Sequence, residues 1–289
     1  KTGLPIVSLY GDHKKPTRQD LKGLDLVIFD IQDVGVRFYT YISTLHYVME
    51  ACAEVGLPVL ILDRPNPNGD YVDGPVLEIA HKSFVGMHPV PIVHGMTIGE
   101  YALMINGERW LKDSLQCDLQ ILECQNYHHS MRYSLPVPPS PNLRSDISIR
   151  LYPSLCFFEG TTISVGRGTA QPFELYGHPR MDKGNFSFKP KSMMGAMYPK
   201  HLNLTCGGVN LNKEPLDSRF TLRYLLDALS IIGDPVSTIN RKNFFVLLSG
   251  TETLYNQIVN GLSEDEIRKT WQKDLAAYSE VRARYLKYD

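Results

Sequence analysis

The stretch that points to the fold is a strand-to-helix turn that reads DLVIFDIQDVGVRFYTY, residues 25–41. An apolar segment over 25–31 predicts a buried strand, and a helical pattern follows over 41–56. In open parallel sheets, ligands bind at turns of this kind. Two carboxylates, an amide, an arginine and two phenols crowd the turn, which is an unfavourable composition for a loop that only connects two elements. We interpret residues 30–41 as one wall of an active site.

Strands and helices alternate around this turn. The predicted strands lie at 4–10, 25–31, 58–63, 90–93 and 118–124; the earlier ones are continuous apolar runs, and the last alternates between apolar and polar residues. The predicted helices of this part lie at 17–23, 41–56 and 98–111, the last opened by a Thr97/Glu100 capping box. This alternation of strands and helices predicts an α/β fold in which helices cover both faces of a parallel sheet.

A proline-rich run over 135–143 predicts an extended, semi-rigid crossover into the second half of the chain. Helical patterns then lie at 147–158, 222–232, 252–260 and 264–286. A glycine-rich turn over 160–168 and a strand-like segment over 208–211 lie between the first two of these helices. A chain of 289 residues can form two domains or one large one.

Composition excludes several classes of partner. With 30 basic and 31 acidic residues there is no basic excess, so we expect no nucleic-acid partner. No apolar run approaches the length of a membrane span, and we expect none. The five cysteines show no C-x-x-C pair and the histidines no H-E-x-x-H spacing, so we expect neither a disulfide framework nor a metal site.

The opening run offers the first candidate site residues. Asp30 or Asp33 could act as acid, base or hydrogen-bond acceptor, and Arg37 could meet a carboxylate. The structural alternative is a helix N-terminus capped by Asp33, with Tyr39 and Tyr41 packed beside it. We favour the functional interpretation.

Two further polar clusters follow neighbouring strands. Asp63 ends the strand at 58–63, and Arg64 and Asn66 follow it, so the three are expected at the same sheet edge as the opening run. His94 lies at another strand-to-helix junction, where it could act as acid or base or bind a sugar hydroxyl. The alternatives are an Asp–Arg pair that only braces the loop and a histidine that only caps the helix.

The glycine-rich turn carries the last candidates, Glu159 and Arg167, with Glu174 close behind. The turn lacks the Lys-Ser/Thr of a P-loop and the three-glycine dinucleotide spacing, so it is a weak nucleotide signal. For Glu174 the alternative is a loop salt bridge. Without a nucleophile elbow or a cysteine beside a base, the remaining carboxylates, arginines, amides and aromatics are typical of a site that cleaves or binds carbohydrate.

Long motifs at these clusters resemble one known family. They read DIQDVGVRFYTYISTL, LDRPNP, GPVL, SFVGMHPVPIVHGMTIGE, EGTTISVGRGTAQPFE and, near the end, RARYLKY. In this order they are similar to the bacterial DUF1343 family, which includes the NamZ-type exo-β-N-acetylmuramidases. The resemblance runs over residues 2–288.

The resemblance implies a Rossmann-like parallel-sheet domain, assigned to 1–140, and a second, smaller α/β domain, assigned to 141–289. It places the site in the cleft between them and implies hydrolysis of β-linked N-acetylmuramic acid from the non-reducing ends of peptidoglycan fragments, without a cofactor. Because muramic acid carries a lactyl carboxylate, Arg37, Arg64 and Arg167 are the candidates for a bidentate contact.

We therefore predict Asp33, Glu159 and Asp30 as catalytic carboxylates. The predicted substrate-binding residues are Arg37, Tyr39, Tyr41, Asp63, Arg64, Asn66, His94, Arg167 and Glu174. Family members carry a segment upstream of the first strand, with an S-P-E-H-G-like motif, and we expect this chain to lack it. A cell-wall substrate predicts a periplasmic or extracellular location. The alternatives are a non-catalytic protein that binds muropeptides or sugars, and a hydrolase of another acidic sugar.

Overall fold

A computed structural model describes residues 3–182 and 186–289. Its amino-terminal half contains a three-stranded parallel sheet in the order β1-β2-β3. The strands are β1 (Val27–Phe29), β2 (Val59–Leu62) and β3 (Leu119–Leu122), connected by the helices α1 (Tyr41–Ala53) and α2 (Ile98–Gly107). Val59 is in register with both Val27 and Leu119. The predicted α/β class with a parallel sheet is confirmed, although every strand is shorter than its apolar run.

Three predicted elements of this half are absent from the described residues. Residues 4–10 form no strand, and residues 17–23 form consecutive turns instead of a helix. Residues 90–93 contribute only isolated bridges, in which Val93 pairs with Val36 and Asp73. An apolar run becomes a strand only where a neighbouring strand accepts its backbone hydrogen bonds, and local sequence does not show that neighbour.

The parallel sheet is covered on one face only. Phe29, Val59 and Ile61 are buried in one core with α1 and α2. On the opposite face, Ile28 and Leu122 remain 56% and 61% exposed. The prediction that helices cover both faces of the sheet is therefore wrong for the described residues. Apolar side chains on both faces of a strand show that both faces could be buried, but they do not show whether helices pack on both.

The entry to α2 follows the sequence pattern closely. Thr97 Oγ1 accepts a hydrogen bond from the Glu100 N–H at 3.2 Å, and the Glu100 carboxylate accepts one from the Thr97 N–H at 2.8 Å. This confirms the predicted capping box, which satisfies two N–H groups that a helix start leaves without partners.

The second half combines helices with a small antiparallel sheet in the order β4-β6-β5. Its strands are β4 (Leu175–His178), β5 (Ser187–Phe188) and β6 (Cys206–Asn210). The helices are α3 (Asp146–Leu155), α4 (Arg223–Ile232), α5 (Pro235–Thr238), α6 (Lys242–Ser249), α7 (Glu252–Val259), α8 (Glu264–Lys269) and α9 (Gln272–Arg282). The predicted long helix over 264–286 is thus two helices, and β4, β5, α5 and α6 were not predicted.

Two hydrophobic cores organise the described residues. The larger packs α3, α4, α6 and α7 together with Val36, Phe38 and Ile92 of the first half. The smaller packs β1, β2, α1 and α2, and it also takes Tyr278 from α9. Segments from each half therefore enter the other core, and the division at residue 140 stays a prediction. No helix in 3–182 or 186–289 has the length and apolar character of a membrane span.

Candidate active site

A cleft of about 980 Å³ opens between the two halves. Phe38, Tyr39 and Tyr41 line it from the amino-terminal half. From the other side it is lined by the proline-rich run at 139–143 and by residues of the second half, including Arg167. The cleft has the size and the aromatic character of a small-molecule site. Its wall also carries hydroxyl, amide and charged groups, including those of Asp12, Lys14 and Arg167. Of the predicted site residues, the structure brings Tyr39, Tyr41 and Arg167 to this surface.

The two tyrosines form a fixed aromatic wall. Their rings meet edge to face with centroids 5.2 Å apart, and the Tyr39 ring packs in the same way on Tyr152. The Tyr39 hydroxyl donates to the Pro139 carbonyl at 2.7 Å, which ties the wall to the proline-rich run. Burial raises the pKa of Tyr39, so the phenol stays neutral at physiological pH.

Arg167 enters the cleft from the opposite side. Its Nε donates to Glu159 Oε1 at 2.7 Å, and its guanidinium lies over the Phe173 ring, 5.3 Å from the centroid. Burial acts to lower the pKa of Arg167, but the Glu159 carboxylate outweighs it and raises that pKa. Within the described residues the terminal nitrogens of Arg167 make no hydrogen bond. The side chain is therefore a held cation with free donors.

Lys200 fixes the turn that carries Glu159. Its ammonium donates to the Phe158 carbonyl at 2.6 Å and to the Thr161 carbonyl at 2.5 Å. Burial lowers the pKa of Lys200 to about 8. Sequence reasoning missed this lysine because it lies about forty residues from the turn, in a stretch without any recognisable pattern.

Asp33 is buried and does not line the cleft. Its Oδ2 accepts from the Gly35 N–H at 2.7 Å and lies 3.6 Å from His94 Nε2, and both side chains are buried. Asp33 Oδ1 and His94 Nε2 have no hydrogen-bond partner in the described part of the chain. Buried polar atoms normally find partners, so this pair is an unusual feature at a candidate site.

Arg37 has a different environment from the one its sequence context suggested. It is fully buried, and its guanidinium donates to the carbonyls of Pro75, Val90, Leu248 and Ser249 at 2.7–2.9 Å. Burial lowers the pKa of Arg37, while four carbonyl oxygens favour the charged form. These contacts join the two halves and argue against a direct contact with a substrate carboxylate.

Asp63 and Arg64 form hydrogen bonds and an ion pair with other groups of the protein. Asp63 accepts hydrogen bonds from Tyr288 and Thr97 hydroxyls and from two backbone N–H groups, at 2.7–2.9 Å. Burial raises the pKa of Asp63, although each of these hydrogen bonds opposes it. Arg64 pairs with Asp30 at the surface, with Nε 2.9 Å from Oδ1. Asp63 therefore holds the carboxyl-terminal tyrosine in place.

The other predicted residues also support loops. Asn66 donates to the Met96 carbonyl at 2.8 Å and accepts from the Asn68 N–H at the same distance. His94 Nδ1 accepts from the Met96 N–H at 3.3 Å. Glu174 accepts from the Ser145 hydroxyl at 2.5 Å, next to the start of α3. None of these three lines the cleft. Conversely, the predicted site residues did not include the cleft residues Asn142, Tyr152 and Phe173. Asn142 lies in the proline-rich run and Phe173 at the end of the EGTTISVGRGTAQPFE motif, whereas no pattern marks Tyr152.

No group of three histidine, cysteine or carboxylate side chains within 3–182 and 186–289 is arranged to hold a metal ion. Two histidines are hydrogen-bonded to each other, with His46 Nδ1 2.9 Å from His88 Nε2. This pair is buried and continues to the Tyr101 hydroxyl, 3.0 Å from His88 Nδ1. It is a hydrogen-bonded core network.

Comparison with known proteins decides the family. The model for the N-terminal domain of exo-β-N-acetylmuramidase NamZ matches residues 1–147, and the model for its C-terminal domain matches 150–288. The chain belongs to the NamZ family. Over its whole length it is 38% identical to the peptidoglycan β-N-acetylmuramidase NamZ of Bacillus subtilis (strain 168), of which the alignment covers 73%.

Two solved structures of the NamZ (DUF1343) family share this fold. One from Bacteroides fragilis NCTC 9343 is 48% identical with a TM-score of 0.95, and another from the same strain is 27% identical with a TM-score of 0.88. Each comparison covers all of this chain and 81% of the solved one. The predicted family and the two-domain α/β fold are confirmed. The expected lack of the N-terminal part of the family domain is not confirmed, because the N-terminal family model matches from residue 1.

Proposed function

We propose that this protein is an exo-β-N-acetylmuramidase that releases N-acetylmuramic acid from the non-reducing ends of peptidoglycan fragments. Membership of the NamZ family and full-length similarity to a peptidoglycan β-N-acetylmuramidase support the reaction class. The structural observation that carries the proposal is Arg167, a cation held in the cleft wall with its terminal nitrogens available.

The chemistry of the substrate explains this arginine. Muramic acid differs from glucosamine by a lactyl ether that ends in a carboxylate. A guanidinium binds a carboxylate through two parallel hydrogen bonds, and it does so most effectively when its own position is fixed. Glu159 and Phe173 fix Arg167, and the tyrosine wall offers flat apolar surface for the sugar ring.

Hydrolysis requires an acid for the leaving oxygen and a second carboxylate or an activated water. We propose Glu159, next to the cleft wall, as the first catalytic candidate. Asp33, which is buried, is the second, and surface-exposed Asp30 is the third. Glu159→Gln is expected to lower kcat by at least 100-fold, a typical loss when a general acid or base is removed. An Asp33→Asn or Asp30→Asn variant that keeps wild-type turnover would remove that residue from the set.

The test compares two chromogenic substrates that differ only in the lactyl group, a β-N-acetylmuramide and a β-N-acetylglucosaminide. We expect rapid hydrolysis of the muramide alone. Arg167→Met should abolish most of this preference, lowering kcat/KM for the muramide about 100-fold, because a charged hydrogen-bond pair is lost. Arg223→Met, which removes an exposed arginine on α4, is the matched control and should leave both rates unchanged.

The other outcomes distinguish the alternatives. Binding of the muramide without cleavage would identify a sugar-binding protein, and cleavage of a different acidic sugar in its place would identify a related hydrolase. A peptidoglycan substrate also supports our proposal of a periplasmic or extracellular location. Fractionation of cells of the source bacterium, followed by immunodetection, tests it, and recovery of the protein only with the cytoplasm would contradict it.

A further inference from the structure

A tight loop, residues 191–199, is hydrogen-bonded to segments that line the cleft; we refer to it as the rim loop. At its start, the Lys191 N–H donates to the Gly168 carbonyl at 2.8 Å, one residue beyond the cleft arginine Arg167. Near its tip, the Gly195 carbonyl accepts from Asn142 Nδ2 at 3.0 Å, and Asn142 itself lines the cleft. The rim loop is therefore continuous with the wall of the proposed active site.

The backbone of the rim loop is held in one conformation. Met193 and Ala196 exchange two backbone hydrogen bonds of 3.2 and 2.9 Å, and Gly195 supplies the positive φ of +83° that the turn requires. Directly after the loop, Lys200 is anchored to the carbonyls of the turn that carries Glu159. A loop pinned at its start, tip and end loses little conformational entropy when it binds a ligand.

The side chains of this ordered loop are unusually apolar and exposed. Met194, Met197 and Tyr198 are 80%, 59% and 92% exposed. Within the described residues, Tyr198 makes no ring contact and no hydrogen bond. Exposed apolar patches next to a cleft commonly mark binding surfaces. Tyrosine offers a large, rigid and amphipathic face, and methionine adapts its shape to a partner.

We propose that the rim loop binds the sugar on the leaving side of the scissile bond, an N-acetylglucosamine unit that packs its apolar ring face on Tyr198. This inference rests on the proposed function. If Arg167 holds the lactyl carboxylate of the terminal muramic acid inside the cleft, the rest of the fragment has to leave through the cleft mouth. The rim loop is hydrogen-bonded to Gly168, next to Arg167, and to the cleft residue Asn142, so on this proposal it contacts the sugar that follows the terminal one.

Two substrates with the same terminal sugar test this assignment: the disaccharide N-acetylmuramyl-β-1,4-N-acetylglucosamine and methyl β-N-acetylmuramide. Tyr198→Ala is expected to raise KM for the disaccharide about fivefold to tenfold, the range that aromatic contacts provide. Its kcat/KM for the methyl glycoside should change less than twofold. Tyr198→Phe keeps the ring and should match the wild type on both. Ile231→Ala, at an exposed position on α4, is the control for loss of an exposed apolar side chain.

Loss on both substrates, or on neither, would overturn the assignment, since then the ring does not contact the leaving sugar. If the wild type cleaves neither substrate, the proposed function fails, and calorimetric binding of the same two sugars decides the role of the loop. If Tyr198→Ala binds the disaccharide more weakly than the wild type but binds the methyl glycoside equally well, the assignment of the rim loop is still supported. Equal binding of the disaccharide by the wild type and Tyr198→Ala would overturn the assignment. Thermal melting confirms folding, because an exposed ring contributes little to stability.

Discussion

The buried arginine of the opening run gives the sharpest test of the structural account. Replacement of Arg37 by methionine keeps the length and apolar volume of the side chain but removes all four contacts to carbonyl oxygens. The Val90 carbonyl also accepts from the Leu77 N–H, so it keeps a partner. The variant leaves the carbonyls of Pro75, Leu248 and Ser249 without the donor that Arg37 supplies.

The expected loss follows from these contacts. A buried polar group without a partner costs about 1–3 kcal/mol, and breaking a buried charged network costs about 3–5 kcal/mol in total. At roughly 2–4 °C per kcal/mol for a large domain, the melting temperature of Arg37→Met should fall by about 10 °C. Arg223→Met removes an exposed arginine and should stay within about 1 kcal/mol of the wild type.

The assay combines thermal unfolding at pH 7 with kinetics on the chromogenic muramide well below the melting temperature. We expect a large loss of stability and a KM within twofold of the wild type. If Arg37→Met does not fold, Arg37→Lys, which keeps the charge and three donors, should show about half the loss. An unchanged melting temperature together with a tenfold higher KM would refute this reasoning and assign Arg37 to the substrate.

Three further perturbations follow from single contacts. Tyr288→Phe removes a hydroxyl that donates to Asp63 at 2.7 Å and should lower the free energy of unfolding by about 1–3 kcal/mol, measured by urea titration. Gly35→Ala combines a φ of +75° with a Cβ 2.3 Å from Asn66 Oδ1, and should cost about 2–4 kcal/mol by the same measurement. Burial lowers the pKa of His46 to about 4 from 6.5, so the unfolded chain binds more protons in that window. Wild-type stability should therefore fall by up to about 3 kcal/mol as the pH drops from 6.5 to 4, and His46→Gln should flatten this slope.

Each of these three variants has a control and an outcome that would contradict the expected effect. Tyr285→Phe loses a hydrogen bond to Glu108 near the surface and should lower the free energy of unfolding less than Tyr288→Phe. A larger loss for Tyr285→Phe would contradict the conclusion that Asp63 holds Tyr288 in place. Gly23→Ala shares a positive φ but meets nothing within 4 Å, so a loss equal to that of Gly35→Ala would mean that contact with Asn66 is unimportant. If the free energy of unfolding of His46→Gln depends on pH as steeply as that of the wild type, His46 is not buried in its neutral form.

The features that depend on local pattern could be predicted from the amino-acid sequence. Apolar runs and helical periodicity set the alternation of β1, α1 and β2, and the Thr97/Glu100 spacing set the start of α2. Long ordered motifs identified the family. In each case neighbouring residues carry the information, either as periodicity, as a capping hydrogen bond or as a contiguous signature.

Which of the polar motif residues face the cleft depends on contacts between distant segments and could not be predicted from the sequence. Arg37, Asp63 and Arg167 all looked like ligand-binding residues in sequence. Arg37 instead donates to four carbonyls, two of them more than two hundred residues away, and Asp63 accepts from a tyrosine hydroxyl 225 residues away, among other donors. Arg167 alone of the three keeps free donors in the cleft wall. The physical reason is that the role of a charged side chain depends on the partners that remain unfilled after folding, and those partners come from distant segments.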